Sequence, residues 1–305
     1  MQRRSGRRGV DLRQAAMIQR LAWVTTASAR GTDDDEPPAV EALRSAGVTV
    51  EVVDWDDRTA DWASYDRVLL RSAWDYAERL GEFLAWLATV DRVTDLRNPA
   101  QMVRWSLDKH YLAELAAAGV PVTPTMFVEP GAQPVLPDGE VVVKPAVGAG
   151  SRDAASYGPE QRDQARAHVH RLLAQDRSVL VQPLLASVAV DGEWPLLFFG
   201  GRYSHAASKR VALPRAGVID ELFAPETLAE HQPDQTQLEV AHAAMEVVAS
   251  RFGTPTYARV DLVHDDEGSP VVLELELVEP SLFLAQAGPR AVDLLVEAAT
   301  ADGAE

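Results

Sequence analysis

The feature that most limits the fold lies near the N-terminus, where short apolar runs alternate with a helical stretch. IQRLAWVT (18–25), VTVEVVDW (48–55) and YDRVLLRS (65–72) each read as a strand. Between the first two stand an acidic loop (Asp33, Asp34, Asp35, Glu36), then Pro37 and Pro38, then AVEALRSAG closed by Gly47. Proline near the start and glycine just past the end is the usual asymmetry of a helix. Strand, helix and strand within about forty residues make a βαβ pattern, which argues a parallel sheet. A further helix over 77–90 completes a small α/β domain, assigned to residues 17–98 and ending near Asn98-Pro99.

A second unit, residues 99–181, is expected to open with a helix from Ser106 to Ala118, with Ser106 as its N-cap and Gly119 and Pro121 ending it. The strands MFVE and EVVVKP, a Gly-rich loop, a helix over 159–175 and the strand VLVQPLL (179–185) follow. The third unit, residues 182–305, reads as a hairpin turning at Gly200-Gly201, a long helix near 235–252, and a second hairpin of TYARVDLVHD and PVVLELELVEP. A last helix over 289–300 closes the chain, so the class is α/β (α+β), one parallel domain followed by two α+β subdomains.

Composition narrows the function. With 305 residues, 47% apolar and 25% charged, the chain can bury several cores and is neither disordered nor fibrous. A formal net charge of −17 repels a phosphate backbone, so the body of the protein is not expected to bind nucleic acid. An anionic ligand would need local cations or a metal. There is no cysteine, which excludes disulfides, thiolate zinc sites, iron–sulfur clusters and a cysteine nucleophile together. Residues 1–16 are basic and lack the apolar run of a signal peptide; a disordered arm is expected, with a nucleic-acid or membrane arm as the alternative. No apolar stretch reaches the roughly 20 residues that span a bilayer, so a soluble cytoplasmic protein is expected.

The chemistry gathers on the last pair of strands. Asp261 lies in YARVDLV, and Glu274 and Glu276 lie in LELEL. Residues i and i+2 of a strand share a face, and the short turn brings Asp261 alongside. At an effective dielectric near 20, two like charges about 4 Å apart cost about 4 kcal/mol. A hard divalent cation removes that repulsion, and all-oxygen ligation suits Mg2+ or Mn2+. An exposed antiparallel strand shows the same alternation, so a solvated face is the alternative.

Two lysines stand isolated. Lys144 ends EVVVKP beside the loop VGAGSR (147–152), a small-residue segment whose N–H groups can approach phosphate closely. Lys109, in the first turn of the helix expected from Ser106, opposes the helix dipole at a cost of about 0.3–1 kcal/mol unless an anion binds there. GAGS is also common in ordinary turns, and the GxxxxGK[ST] pattern of a P-loop is absent. VLVQPLL offers Gln182 and the backbone of Leu184 to an adenine edge, or crosses between units as plain core. Glu193 in DGEW fits ribose hydroxyls, a place near the phosphates, or an exposed turn.

Lysine, lysine with Gly loop, linker strand, glutamate, a basic strand end (Lys209, Arg210), Arg-x-Asp and Glu-x-Glu follow one another in an order that resembles the ATP-grasp superfamily over residues 18–300. RSAWDY (71–76) and ELELVEPSLF resemble a branch of it that includes the cyclo-ligase closing O-ureido-D-serine to D-cycloserine. The resemblance implies an ATP-grasp fold, in which a pre-ATP-grasp domain precedes two subdomains gripping ATP. It implies an ADP-forming carbon–nitrogen ligase that activates an amino-acid-like carboxylate as an acyl phosphate, with Mg2+ as cofactor. Homodimers are common in such proteins.

By the same resemblance Lys109 and Lys144 contact the nucleotide phosphates, and Gly148, Ala149, Gly150 and Ser151 cover them. Gln182 and Leu184 hold adenine, Glu193 lies on the ribose side, and Lys209 lies near the transferred phosphate. Arg259 stabilises charge on the acyl phosphate or tetrahedral intermediate, while Asp261 and Glu274 bind magnesium. Glu276 stands where many members have asparagine, which leaves the number of ions open.

RSAWDY ends the third strand, where open α/β sheets bind ligands. Arg71 could pair with a substrate carboxylate, with Trp74, Asp75 and Tyr76 shaping an amino-acid pocket and Ser281 a further contact. Interface packing of Trp74 and Tyr76, with Arg71 paired to Asp75, is the alternative. Two other functions are weighed: an intermolecular amino-acid or peptide ligase, and an inactive nucleotide-binding regulator. The regulator would lack Lys144, Asp261 or Glu274, and all three are present.

Overall fold

The computed structural model describes residues 18–211 and 226–302; the basic arm expected at 1–16 lies outside them. Strands β1 (Arg20–Thr25), β2 (Thr49–Asp54), β3 (Arg67–Ser72) and β4 (Asp95–Arg97) form an all-parallel sheet in the order β2-β1-β3-β4. Helix α1 (Glu36–Ser45) has its prolines in the first turn, and Gly47 follows at φ 90°. β3 is buried at every residue, as a parallel strand covered on both faces should be. Helix α2 (Leu80–Val90) buries Phe83, Leu87 and Val90 against this sheet's core.

The single helix expected from Ser106 to Ala118 is in fact two, α3 (Ala100–Leu107) and α4 (Tyr111–Ala117). Tertiary hydrogen bonds make the break. The Lys109 N–H donates to Ala146 O (2.9 Å), Asp108 bridges Val147, and Asp108 Oδ1 accepts the His110 N–H (3.1 Å). Ser106 is no N-cap: inside α3 its Oγ donates to Leu275 O (3.3 Å) and accepts from Leu277 N (3.2 Å). Lys109 therefore sits in the connection between two helices, and the helix-dipole argument for it does not hold.

The central sheet runs β5-β8-β6-β7, from β5 (Met126–Val128), β6 (Val141–Pro145), β7 (Ala155–Tyr157) and β8 (Val179–Pro183), antiparallel at every pairing. Helix α5 (Arg162–Leu173) covers it, packing Ala165, Val169 and Leu172 on the valines of β6 and β8. A short α6 (Ala186–Val190) leads to the C-terminal sheet. Its strands are β9 (Trp194–Phe199), β10 (Arg202–Val211), β11 (Glu226–His231), β12 (Tyr257–His264) and β13 (Pro270–Glu276), in the order β11-β10-β9-β12-β13. Both turn glycines, Gly200 (φ 55°) and Gly201 (φ 73°), take the left-handed conformation that the β9–β10 hairpin needs.

Helix α7 (Gln235–Phe252) starts at a reciprocal cap. Asp234 Oδ1 accepts the Gln237 N–H (2.9 Å) and Gln237 Oε1 accepts the Asp234 N–H (3.1 Å). After β13, α8 (Leu284–Ala287) and α9 (Pro289–Thr300) return to the N-terminal domain. Leu21, Trp23, Leu43, Phe199, Tyr257 and Leu295 share one core there, so the first and last parts of the chain are packed together. Each such fully buried side chain contributes about 1.5–3 kcal/mol. No helix among the described residues is long and apolar enough to cross a membrane.

Candidate active site

A cleft lies between the central and C-terminal sheets and reaches the turn after β3; it encloses about 1510 Å3 with its open mouth. One end is apolar, lined by Val142, Leu184, Leu185, Val188, Leu273 and Leu275. Gln182 and Thr123 add polar groups to it. Gln182 Nε2 donates to Thr125 Oγ1 (2.8 Å), while Thr123 Oγ1 is buried without a hydrogen-bond partner among the described residues. The Leu184 N–H already donates to Glu140 O (3.0 Å), so an adenine contact from Leu184 would come from its carbonyl or side chain.

The other end is charged. In the β12–β13 pair Arg259 stands opposite Glu276 and Asp261 opposite Glu274, beside a bulge between Asp261 and Leu262 of the kind that re-aims side chains. Glu274 receives Lys109 Nζ (3.0 Å) and Lys144 Nζ (3.6 Å). Lys209 Nζ reaches Glu193 (2.8 Å) and Asp261 (3.4 Å). Arg259 holds Asp261 through two nitrogens (2.7 and 2.9 Å), bonds Glu276, and donates to Ser281 O (3.3 Å). Gly192, at φ 83°, makes the Glu193–Lys209 approach feasible, because a Cβ there would meet Lys209 O at 2.6 Å.

Titration follows from burial and charge count. Burial acts against the charge of Lys109, but Glu274 outweighs it and holds the lysine above its usual value. Burial pulls Lys144 down, with Glu274 only partly compensating and Lys109 adding to the effect. Despite burial, the lysines beside Glu274 bring its carboxyl to about 2. Burial raises Glu276 to about 7 although Arg259 opposes it, and burial with Glu276 nearby raises Glu279 to about 8. Five acidic side chains (Glu193, Asp261, Glu274, Glu276, Glu279) stand with four basic ones (Lys109, Lys144, Lys209, Arg259), and burial holds Glu276 and Glu279 toward their neutral forms. These hard oxygen donors suit a divalent ion, whose charge would favour the ionised form of the raised carboxyls. Among the described residues no three acids or imidazoles already form a cage for one.

The loop carrying Gly148, Ala149, Gly150 and Ser151 lines the cleft and is docked on the N-terminal domain. Tyr76 Oη (3.3 Å) and Lys109 Nζ (3.1 Å) both donate to Gly148 O, and Arg152 pairs with Glu78. Trp74, Tyr76 and Ser281 line the cleft as well. Arg71, Asp75 and Asp261 do not, Asp261 lying just behind Arg259 and Lys209. Arg71 is buried between the rings of Trp23 and Tyr257 and donates to Pro280 O (2.5 Å), and Asp75 bonds Trp55 Nε1 (2.8 Å) and Arg79 (3.5 Å). Neither the substrate clamp nor the Arg71–Asp75 pair read from RSAWDY matches that placement. Sequence reasoning missed Glu279, Phe283, Arg152, Thr123 and Ser106 as cleft residues. Glu279 was within reach of it as the next acid after Glu276, but it falls off the two-residue alternation.

This fold and this cleft define an ATP-grasp ligase. The same architecture occurs in D-alanine–D-alanine ligase from Bacillus anthracis solved with ATP (TM-score 0.62, 14% identity, 92% of this chain and 97% of that one). It occurs also in the ATP-grasp ligase PsnB solved with a precursor variant, Mg and ADP (TM-score 0.61, 17% identity, 93% and 99%). At those identities the likeness is one of fold. The chain belongs to the family of the cycloserine biosynthesis protein DcsG of Streptomyces lavendulae, to which it is 43% identical over 277 residues, 87% of this chain and 92% of the relative. Residues 21–98 match the family model of the D-cycloserine synthetase DcsG N-terminal domain. The crystal structure of D-cycloserine synthetase DcsG superposes with a TM-score of 0.84 at 42% identity, over 92% of this chain and 98% of that one.

Proposed function

We propose that this chain uses ATP and magnesium to activate the carboxylate of a small amino-acid-like molecule, which a nitrogen of the same molecule then attacks to close a ring. The substrate we assign is O-ureido-D-serine and the product D-cycloserine. The observation that carries the reading is the convergence of Lys109, Lys144, Lys209 and Arg259 with the acidic hairpin in one cleft of a chain 43% identical to DcsG.

In this reading adenine lies at the apolar end, near Gln182 and Leu184, with its ribose toward Glu193. The triphosphate lies along Lys109 and Lys144 beneath the Gly148–Ser151 loop. Asp261, Glu274 and Glu276 would hold magnesium, which supplies charge neutralisation on phosphate oxygens. The substrate carboxylate oxygen attacks the γ-phosphorus and ADP leaves. The ureido nitrogen bonded to the side-chain oxygen then attacks the acyl carbon, phosphate departs with the acyl oxygen, and the nitrogen gives up its proton. One water then cleaves the carbamoyl group from that nitrogen, releasing carbon dioxide and ammonia and leaving the ring. Lys209 and Arg259 neutralise the charge that develops, and Trp74, Tyr76 and Ser281 position the substrate. The protein's contribution is orientation and electrostatics, so no nucleophilic side chain is required. We place the enzyme in the cytoplasm, with its supply of ATP.

Purified protein given ATP, Mg2+ and O-ureido-D-serine alone is expected to release ADP and phosphate in equal amounts together with a cyclic product. A requirement for a second amino acid would indicate an intermolecular ligase instead. Absence of ADP release with a panel of amino-acid-like carboxylates would refute catalysis. Glu274→Ala is expected to lose turnover while keeping its circular dichroism spectrum; retained activity would remove the metal assignment.

A further inference from the structure

Residues 278–282, between β13 and α8, lie in no helix or strand, yet side chains from elsewhere stand on every one of their carbonyls, and Phe283 O accepts the first helical bonds of α8. Tyr257 Oη, whose one proton is shared between Leu70 O and Val278 O, stands 2.9 Å from the latter; Trp74 Nε1 donates to Glu279 O (3.1 Å) and Arg71 Nη2 to Pro280 O (2.5 Å). Arg259 Nη1 donates to Ser281 O (3.3 Å) and His205 Nε2 to Leu282 O (2.8 Å). In the other sense, the two oxygens of Asp35 accept the N–H groups of Leu282 (2.5 Å) and Leu284 (2.9 Å).

Between those two N–H groups Phe283 sits at φ 53°, a left-handed conformation that an aromatic residue adopts only when its surroundings over-determine it. Its ring lies under the Arg259 guanidinium at 5.5 Å, and Glu279, Ser281 and Phe283 all line the cleft. Asp35 (4% exposed) and Arg71 (1% exposed) belong to the N-terminal domain and do not line it. Burial raises the Asp35 carboxyl, and Arg71 is close enough to offset part of that rise. Among the described residues Arg71 Nε and Nη1 have no hydrogen-bond partner, which costs stability, so its bond to the cleft wall is a better account of its presence than strength.

We propose that Asp35 and Arg71 are positioning residues, which act through the 279–284 backbone to fix the cleft wall that places the substrate carboxylate. The kinetic consequence rests on the ligase reading above, whereas the hold on the wall can be measured apart from it.

The test uses the full chain. Amide hydrogen exchange without substrate is expected to be faster at Leu282 and Leu284 in Asp35→Ala than in the unaltered protein, with Asp35→Asn, which keeps one acceptor, in between. With O-ureido-D-serine, kcat/KM for that substrate is expected to fall about tenfold or more, the equivalent of ~1.4 kcal/mol. The KM for ATP is expected to stay within about twofold. Arg71→Met is expected to move the same parameter, and Arg71→Lys to restore part of it. Should Asp35→Ala fail to fold, the near-isosteric Asp35→Asn carries the test. An unaltered protein that turns over nothing refutes the ligase reading, while the exchange rates still decide whether Asp35 holds the wall. An active protein whose Asp35 variants keep its kcat/KM, or lose ATP and substrate binding alike, overturns the positioning role; so does unchanged exchange.

Discussion

Asn98 offers a sharp test of how the N-terminal domain is tied to the acidic hairpin. Its side chain is fully buried: Nδ2 donates to Tyr257 O (2.9 Å) and Leu277 O (2.8 Å), and Oδ1 accepts the Thr256 N–H (2.7 Å). Asn98→Ala removes all three bonds and leaves a donor and two carbonyls without them. At about 0.5–1.5 kcal/mol for each neutral bond, the expected loss is about 3 kcal/mol, a large share of the ~5–15 kcal/mol that stabilises a domain. Asn98→Asp separates polarity from volume, because it is nearly isosteric but turns a carboxylate oxygen toward two carbonyls. It is expected to be at least as damaging as the alanine. The assay is guanidinium unfolding at pH 7 followed by tryptophan fluorescence, with turnover measured well below the transition. Both variants should also lose turnover, since Asn98 aligns the start of β12 with the segment after β13. An Asn98→Asp protein within about 0.5 kcal/mol of the parent would refute the reasoning.

Two further outcomes follow from the same kind of argument. Arg259→Lys replaces a planar fork by a point charge that cannot hold Asp261 through two nitrogens and also reach Glu276 and Ser281 O. Steady-state kinetics should show kcat lower by about 10²-fold with the KM for ATP little changed, and an unaltered kcat would remove Arg259 from the mechanism. His168, whose Nδ1 bonds Tyr157 Oη (2.9 Å), is held down to about 4 by burial and by nearby Arg171. The folded chain therefore takes up this proton less readily than the unfolded one, so the stability due to neutral His168 is complete above about pH 6.5 and declines toward pH 4. Allowing for partial solvent screening, about 1 kcal/mol should be lost between pH 7 and pH 5. Denaturant midpoints at the two pH values measure this, and His168→Gln should abolish that portion of the slope.

Regular elements were legible wherever a local pattern decided them. The helices at Gln235–Phe252 and Pro289–Thr300 lie where the sequence places them: Asp234 caps the first and Gly253 ends it, while Pro289 stands in the first turn of the second. The Gly200-Gly201 hairpin and the β12–β13 pair were equally readable. The break at Lys109 was not, since it is made by Ala146 and Val147, partners nearly forty positions away; only Asp108, which caps its own turn, hinted at it. β4 and β7, each three residues long, are too short to show a period. For the cleft, order along the chain was enough to bring Lys109, Lys144, Lys209 and Arg259 to one place. It could not tell that Arg71, at the end of a strand where ligands bind, faces inward between two aromatic rings, because that depends on Trp23 and Tyr257 arriving from opposite ends of the chain.

The pairing of Glu274 with Lys109 and Lys144 bears on how ligands enter. Phosphate oxygens compete with Glu274 for those ammonium groups, and a cation competes with the ammonium groups for Glu274. Nucleotide alone would strand a buried carboxylate, and metal alone would strand two buried lysines. Together each ligand takes up the group that the other releases. Such exchange makes the two binding events mutually reinforcing, by the same factor in either order. The cleft should therefore show heterotropic cooperativity toward the metal–nucleotide complex, arising from a single carboxylate that cannot stay with both lysines and serve a metal.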